Sequence, residues 1–171
     1  KERDKLVKNT LVTTVMSNFG LEQMAAENGI VLERTQVGDR YVMERMREGD
    51  FNLGGEQSGH IILREHSTTG DGILSALQLL KALNACGQSL AEARQVVKIC
   101  PQVLKNAHVS SESAKKKIMG HSKLNRKIKE IEGVLGKDGR VLVRSSGTEP
   151  LVRVMLEGND TEEINGYADE L

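Results

Sequence analysis

Val141-Leu142-Val143-Arg144-Ser145-Ser146-Gly147-Thr148-Glu149-Pro150-Leu151-Val152-Arg153-Val154-Met155-Leu156 is the stretch around which the chain organises itself. The apolar runs at 141–143 and 151–156 have the length and composition of two adjacent β-strands. The residues between them are a guanidinium, three hydroxyls and a glycine, followed by a proline that ends further pairing. Arginine offers a planar, two-pronged donor of fixed charge, and hydroxyls offer short donors. Glycine lets backbone N–H groups approach an anion. The composition fits a phosphate-binding loop; taken alone, it also fits a hydrophilic hairpin turn.

Working outward from this hairpin, the residues after Gly87 predict a compact α+β unit. Residues 89–95 read as a short capped helix, and 96–109 as a strand interrupted at Pro101. Ser110-Ser111-Glu112 opens a single long, Lys-rich helix ending near Gly133 or Gly136, and Thr161-Glu162-Glu163 begins a last helix after the two strands. The first half has a different rhythm. Strands are predicted at 11–16 and 30–32, with a helix over 21–27 capped by Asn28-Gly29. A short helix lies around 42–47, and short strands at 51–53 and 61–63 bracket a glycine-rich loop. Ile73-Leu74-Ser75-Ala76-Leu77-Gln78-Leu79-Leu80 predicts a strongly apolar, mostly buried helix. Strands alternating with helices predict an α/β layer whose mixed sheet is largely parallel, with helices on both faces. Two domains follow, 1–88 and 89–171.

Composition excludes several function classes. The 24 basic and 24 acidic residues balance, so bulk charge gives no reason to expect nucleic acid or an anionic membrane as partner. With two Phe, two Tyr and no Trp there is no set of platforms for stacking bases. No run reaches the length of a membrane span. Cys86 and Cys100 are isolated thiols, which fits a reducing cytoplasm. The opening Lys1-Glu2-Arg3-Asp4-Lys5 carries no initiating Met, and we expect a piece of a longer polypeptide.

A second unusual stretch is Gly54-Gly55-Glu56-Gln57-Ser58-Gly59-His60. Its three glycines let the backbone come close to a ligand, and a carboxylate can accept two vicinal sugar hydroxyls at once. A flexible polar hairpin is the alternative. Val37-Gly38-Asp39-Arg40, at a strand end, reads as a turn with a cation available. Residues 68–72 form a loop at a helix N-terminus, where Asp71 supplies first-turn negative charge. The lysines from 115 to 129 are interleaved with Glu112, Glu130 and Glu132, and read as a solvated helix face. His66, His108 and His121 are scattered singly, so no metal site is predicted in this chain. There is no Asp-x-Asp cage for Mg²⁺, no serine in a nucleophile elbow and no Walker-type loop. A sugar grip and a phosphate grip are present without a nucleophile.

Taken in order, Thr13-Thr14-Val15-Met16-Ser17-Asn18, Val37-Gly38-Asp39-Arg40-Tyr41-Val42, residues 54–60, 68–72 and 144–150 make nearly the whole chain resemble the α-D-phosphohexomutases, most closely the bacterial phosphoglucosamine mutase branch. The resemblance implies the third (α/β) and fourth (TATA-binding-protein-like α+β) of four domains. The catalytic phosphoserine and the Mg²⁺ loop would then lie in upstream domains. Glu56 and Ser58 would bind sugar hydroxyls, and Arg40 and His60 would line the same cleft. Arg144, Ser146, Gly147 and Thr148 would hold the phosphate that is not being transferred.

The implied activity interconverts glucosamine 6-phosphate and glucosamine 1-phosphate through a glucosamine 1,6-bisphosphate intermediate, supplying UDP-N-acetylglucosamine and cell-wall synthesis. The partners implied are the phosphosugar and the upstream domains, with a homodimer left open. A phosphoglucomutase or phosphomannomutase of the same superfamily is one alternative. A stand-alone phosphosugar-binding module is another.

Overall fold

The computed structural model describes residues 5–147 and 149–171. They form two compact units, 1–99 and 100–171. Residues 89–99 therefore belong with the first unit, whereas the sequence reading placed the boundary between 88 and 89. The reason is local: a Cβ added to Gly20 would lie 1.8 Å from the Lys98 carbonyl oxygen, so this segment lies directly against the start of the first helix.

In the first unit β1 (Thr10–Thr14) is followed by α1 (Phe19–Glu27), β2 (Val31–Thr35), α2 (Asp39–Gly49), β3 (Leu53–Gly55), β4 (Ile61–Leu63), α3 (Gly72–Cys86) and α4 (Leu90–Ala93). The strand order is β2-β1-β3-β4. The β1–β2 and β1–β3 pairs are parallel and β3–β4 is antiparallel, giving the expected mixed, largely parallel sheet. Alternation along the strands sends Val12 and Ile62 to one face, where they bury against Val42, Met43 and Met46 of α2 and against Phe51. On this face Gly54 leaves room for the helix: an added Cβ would meet the Met46 sulfur at 2.6 Å. On the other face Leu11, Leu53 and Leu63 line a cavity with Met24 of α1 and Gln78 of α3.

Two expectations change here. The Val37-Gly38-Asp39-Arg40 stretch is the cap and first turn of α2 rather than a loop, with Gly38 at φ 131° as N-cap. More markedly, α3 has no buried residue: Ile73, Leu77 and Leu80 are 78%, 60% and 62% exposed. An apolar helix must seek cover, but its sequence does not say what provides it, and in this chain α3 touches the sheet at β4.

The second unit runs β5 (Gln102–His108), α5 (Glu112–Met119), α6 (Ser122–Leu135), β6 (Arg140–Ser145), β7 (Leu151–Glu157) and α7 (Thr161–Glu170). Its antiparallel sheet has the order β5-β7-β6. Central β7 buries Val154 and Leu156 against Ile131 and Leu135 of α6 and Ile164 and Ala168 of α7. The strand expected over 96–109 begins only after Pro101, and residues 94–96 form a 3₁₀ turn. The single Lys-rich helix is two helices, because the His121 side chain accepts the Lys123 N–H and so caps a new start after Gly120.

Candidate functional site

The glycine-rich loop of the first unit is built by the β3–β4 hairpin. The Glu56 N–H donates to the His60 carbonyl at 2.9 Å and the Gly59 N–H to the Glu56 carbonyl at 3.1 Å, which closes residues 56–60 into a tight turn. Gly59 takes φ +95°, and a Cβ on Gly55 would sit 2.8 Å from the His60 carbonyl oxygen, so both positions require glycine. The Glu56 side chain is only 9% exposed. Its Oε1 accepts the Gly38 N–H at 2.8 Å, which couples the loop to the start of α2. Its Oε2 lies 3.8 Å from His60 Nδ1.

Glu56 Oε1 therefore already accepts one backbone N–H, and each carboxylate oxygen keeps a lone pair for a further donor. His60 and Ser58 are exposed at the loop, in position to contact a ligand. Glu56 and Gln57 line an apolar-walled cavity of about 440 Å³ with Leu11, Leu21 and Val97. Arg40 is exposed on α2 and lines a different cavity with Asp39, Thr68 and Thr69. The structure thus joins Glu56, His60 and Gly38, with Arg40 in the first turn of α2 that Gly38 caps.

The phosphate-type loop of the second unit joins β6 to β7. The Ser146 N–H donates to the Leu151 carbonyl at 3.0 Å. Ser146 is buried, and its Oγ accepts the Glu149 N–H at 3.2 Å. Its hydroxyl therefore shapes the turn, with its own proton available for donation. Gly147 is exposed, and a Cβ there would meet nothing within 4 Å. Thr148 lies outside the described residues.

Arg144 is the register partner of Arg153 across β6 and β7. Burial lowers the Arg144 pKa from the ordinary arginine value, and the neighbouring Arg153 charge adds to that effect. Among the described residues Arg144 has no acidic partner. Arg153 donates to Glu149 at 2.9 Å, while its buried Nε has no partner among the described residues. Two guanidiniums side by side in a partly buried hairpin are mutually repulsive, and an anion between them would relieve the repulsion.

The sequence reading did not single out Arg153. Its signal was the hairpin register, since pairing Ser145 with Val152 sets Arg144 opposite Arg153. Lys115 was also missed. It is 4% exposed, and its Nζ donates to the Ser146 carbonyl at 2.7 Å and the Glu149 carbonyl at 3.1 Å, so it is not on a solvated face. Among the described residues no cluster of His, Cys, Asp or Glu could hold a metal ion, and no helix is long and apolar enough to cross a membrane.

The family profile for the phosphoglucomutase/phosphomannomutase alpha/beta/alpha domain III matches residues 1–99, and that for the phosphoglucomutase/phosphomannomutase C-terminal domain matches residues 104–171. The chain belongs to the phosphoglucomutase/phosphomannomutase family. Within this family it is 53% identical over 172 residues to a phosphoglucosamine mutase of Caldicellulosiruptor saccharolyticus, and 52% identical over 171 residues to one of Ruminiclostridium cellulolyticum. Each match covers 100% of this chain and 38% of the relative, so the chain spans well under half of their length. The fold resembles a solved Aspergillus fumigatus N-acetylphosphoglucosamine mutase at TM-score 0.78 and 22% identity, covering 97% of this chain and 38% of that one. It also resembles an N-acetylglucosamine-phosphate mutase in its substrate complex at TM-score 0.76 and 18% identity, covering 94% and 37%. These likenesses concern the fold, an α/β unit followed by a smaller α+β unit.

Proposed function

We propose that this chain is the sugar- and phosphate-binding C-terminal part of a phosphoglucosamine mutase. The observation that carries the reading is the Arg144 hairpin: a partly buried guanidinium without an acidic partner among the described residues, beside a second guanidinium and an exposed glycine backbone. Identity of about one half with phosphoglucosamine mutases across the whole chain supports the amino sugar over other hexoses.

In this mechanism a phosphoserine outside the chain gives its phosphoryl group to a hexosamine monophosphate. The resulting 1,6-bisphosphate turns around and returns the other phosphoryl group. During both transfers Arg144, Ser146, Gly147 and Thr148 hold the phosphate distal to the serine. A site made of fixed charge and backbone donors suits this role because it grips either phosphate without reading the sugar behind it. Glu56 orients the ring through its carboxylate, with His60 and Ser58 as exposed contacts and Arg40 as a cation in the first turn of α2. Burial and the Gly38 N–H hold that carboxylate in place before any ligand arrives.

One solved relative, the Aspergillus fumigatus N-acetylphosphoglucosamine mutase, was obtained with GlcNAc-6P and magnesium. We assign the Mg²⁺ of this mechanism to the part of the enzyme that carries the phosphoserine. We place the enzyme in a reducing cytoplasm, a setting that two thiols far apart in sequence, Cys86 and Cys100, suit.

The deciding experiment is a mutase assay on the full-length, serine-phosphorylated protein with glucosamine 6-phosphate, glucose 6-phosphate and mannose 6-phosphate in competition. A preference for the amino sugar supports the reading. Preference for a neutral hexose moves the enzyme to the phosphoglucomutase or phosphomannomutase branch, and no turnover of any of them refutes a mutase function.

A further inference from the structure

We infer that Lys115 is a positioning residue for the phosphate loop, acting from beneath it through a single peptide plane. This rests on the proposed phosphate-binding role of residues 144–148. Lys115 lies in the first turn of α5, its side chain turned inward and 5% exposed. Nζ meets three oxygens: Ser146 O at 2.7 Å, Glu149 O at 3.1 Å and Glu112 Oε1 at 2.5 Å. The ammonium has three protons to donate, so these contacts account for all of them. An ammonium buried on a loop's inner side is costly unless fully partnered, and here the loop's own carbonyls are the partners.

The consequence follows from peptide geometry. In a planar trans peptide the C=O and the next N–H point in opposite directions. Drawing the Ser146 carbonyl inward to Lys115 therefore sends the Gly147 N–H outward. Gly147 itself is exposed, and a Cβ there would meet nothing within 4 Å, so an anion has room to reach that N–H. Lys115 thus fixes the direction of a backbone donor that it does not touch. It also places a positive charge under the loop that an arriving anion would approach from the other side. Glu112, 70% exposed, partners the ammonium from its solvent side. The Glu149 carbonyl, the second oxygen held, precedes Pro150, which has no N–H to aim. The positioning effect therefore falls on Gly147.

The test is an amide NMR titration of this chain with inorganic phosphate, comparing wild type with Lys115→Met and Lys115→Arg. The Met variant should melt cooperatively, lose at least about tenfold in phosphate affinity and show a displaced Gly147 amide resonance before ligand is added. The Arg variant, which keeps the charge and the donors, should recover most of that affinity. A generally loosened fold would not be rescued in this way. Phosphate binding within about twofold of wild type in a folded Met variant overturns the positioning role and leaves the phosphate site standing. Absence of phosphate-induced shifts at residues 144–147 in the wild type overturns both. Should the Met variant fail to fold, Lys115→Gln takes its place under the same criteria.

Discussion

Arg144 and Arg153 sit opposite each other on neighbouring strands, two guanidiniums paired where a sheet usually sets opposite charges or apolar side chains. Burial and the second charge both lower the Arg144 pKa. An anion bound at Arg144 would relieve this repulsion, since among the described residues Glu149 pairs with Arg153 and not with Arg144. Arg144→Ala should weaken phosphate binding by about 1.5–3 kcal/mol, the scale of a charge-assisted hydrogen bond, while leaving the unliganded hairpin as stable as before or slightly more so. Phosphate titration and urea unfolding read the two effects separately. Unchanged affinity would remove Arg144 from the site.

Gly147 provides a sharper separation of fold from function. Its added Cβ would meet open space, and its φ lies outside the range that only glycine adopts comfortably. Gly147→Ala should therefore change stability by no more than about 0.5 kcal/mol. The methyl would nevertheless stand where an anion approaches the backbone, so phosphate affinity should fall by about tenfold. Loss of stability in place of affinity would mean that the glycine serves the turn.

For Glu56 the decisive contrast is between charge and shape. Glu56→Gln keeps an oxygen able to accept the Gly38 N–H, so the loop should stay folded. Hexosamine phosphate binding should weaken while inorganic phosphate binding at the second unit is unchanged. If both ligands lose affinity equally, Glu56 is not a sugar contact.

Glu157 is fully buried at the end of β7, and its Oε2 accepts from Arg140 Nε at 2.5 Å. Removing the cation takes the Arg140 charge away from a carboxylate buried in the second unit. Arg140→Ala should cost about 3 kcal/mol in chemical denaturation. A cost below about 1 kcal/mol would show that other groups or water satisfy the carboxylate once the arginine is gone.

Much of this architecture was legible because the chain states it locally. The β7 run carries apolar residues on both faces and is buried on both. Ser89 and Glu92 form the capping box that starts α4. The loops at 54–60 and 144–150 announce themselves by glycine and hydroxyl content. What was not legible depends on partners distant in sequence. Nothing in Lys115-Lys116-Lys117 says which lysine turns inward; the answer lies in two carbonyls some thirty residues downstream. Glu56 accepts the Gly38 N–H only because α2 begins beside the loop. The break at His121 needed its ring to be recognised as a cap. The exposure of α3 could not be read from its own composition, since hydrophobicity measures the need for cover and not its source.

The sheet order β5-β7-β6 sets a timetable for synthesis. The strand made last among the three is the one in the middle, so β5 and β6 have no partner in this sheet until Leu151–Glu157 has emerged. The first unit can assemble while the ribosome is still translating the second. The second cannot begin its sheet from either edge. Arg144, Ser146 and Gly147 are translated before β7, yet they acquire their arrangement only after it. A nascent or prematurely terminated chain ending before β7 would carry most of the phosphate motif as sequence and none of it as a site.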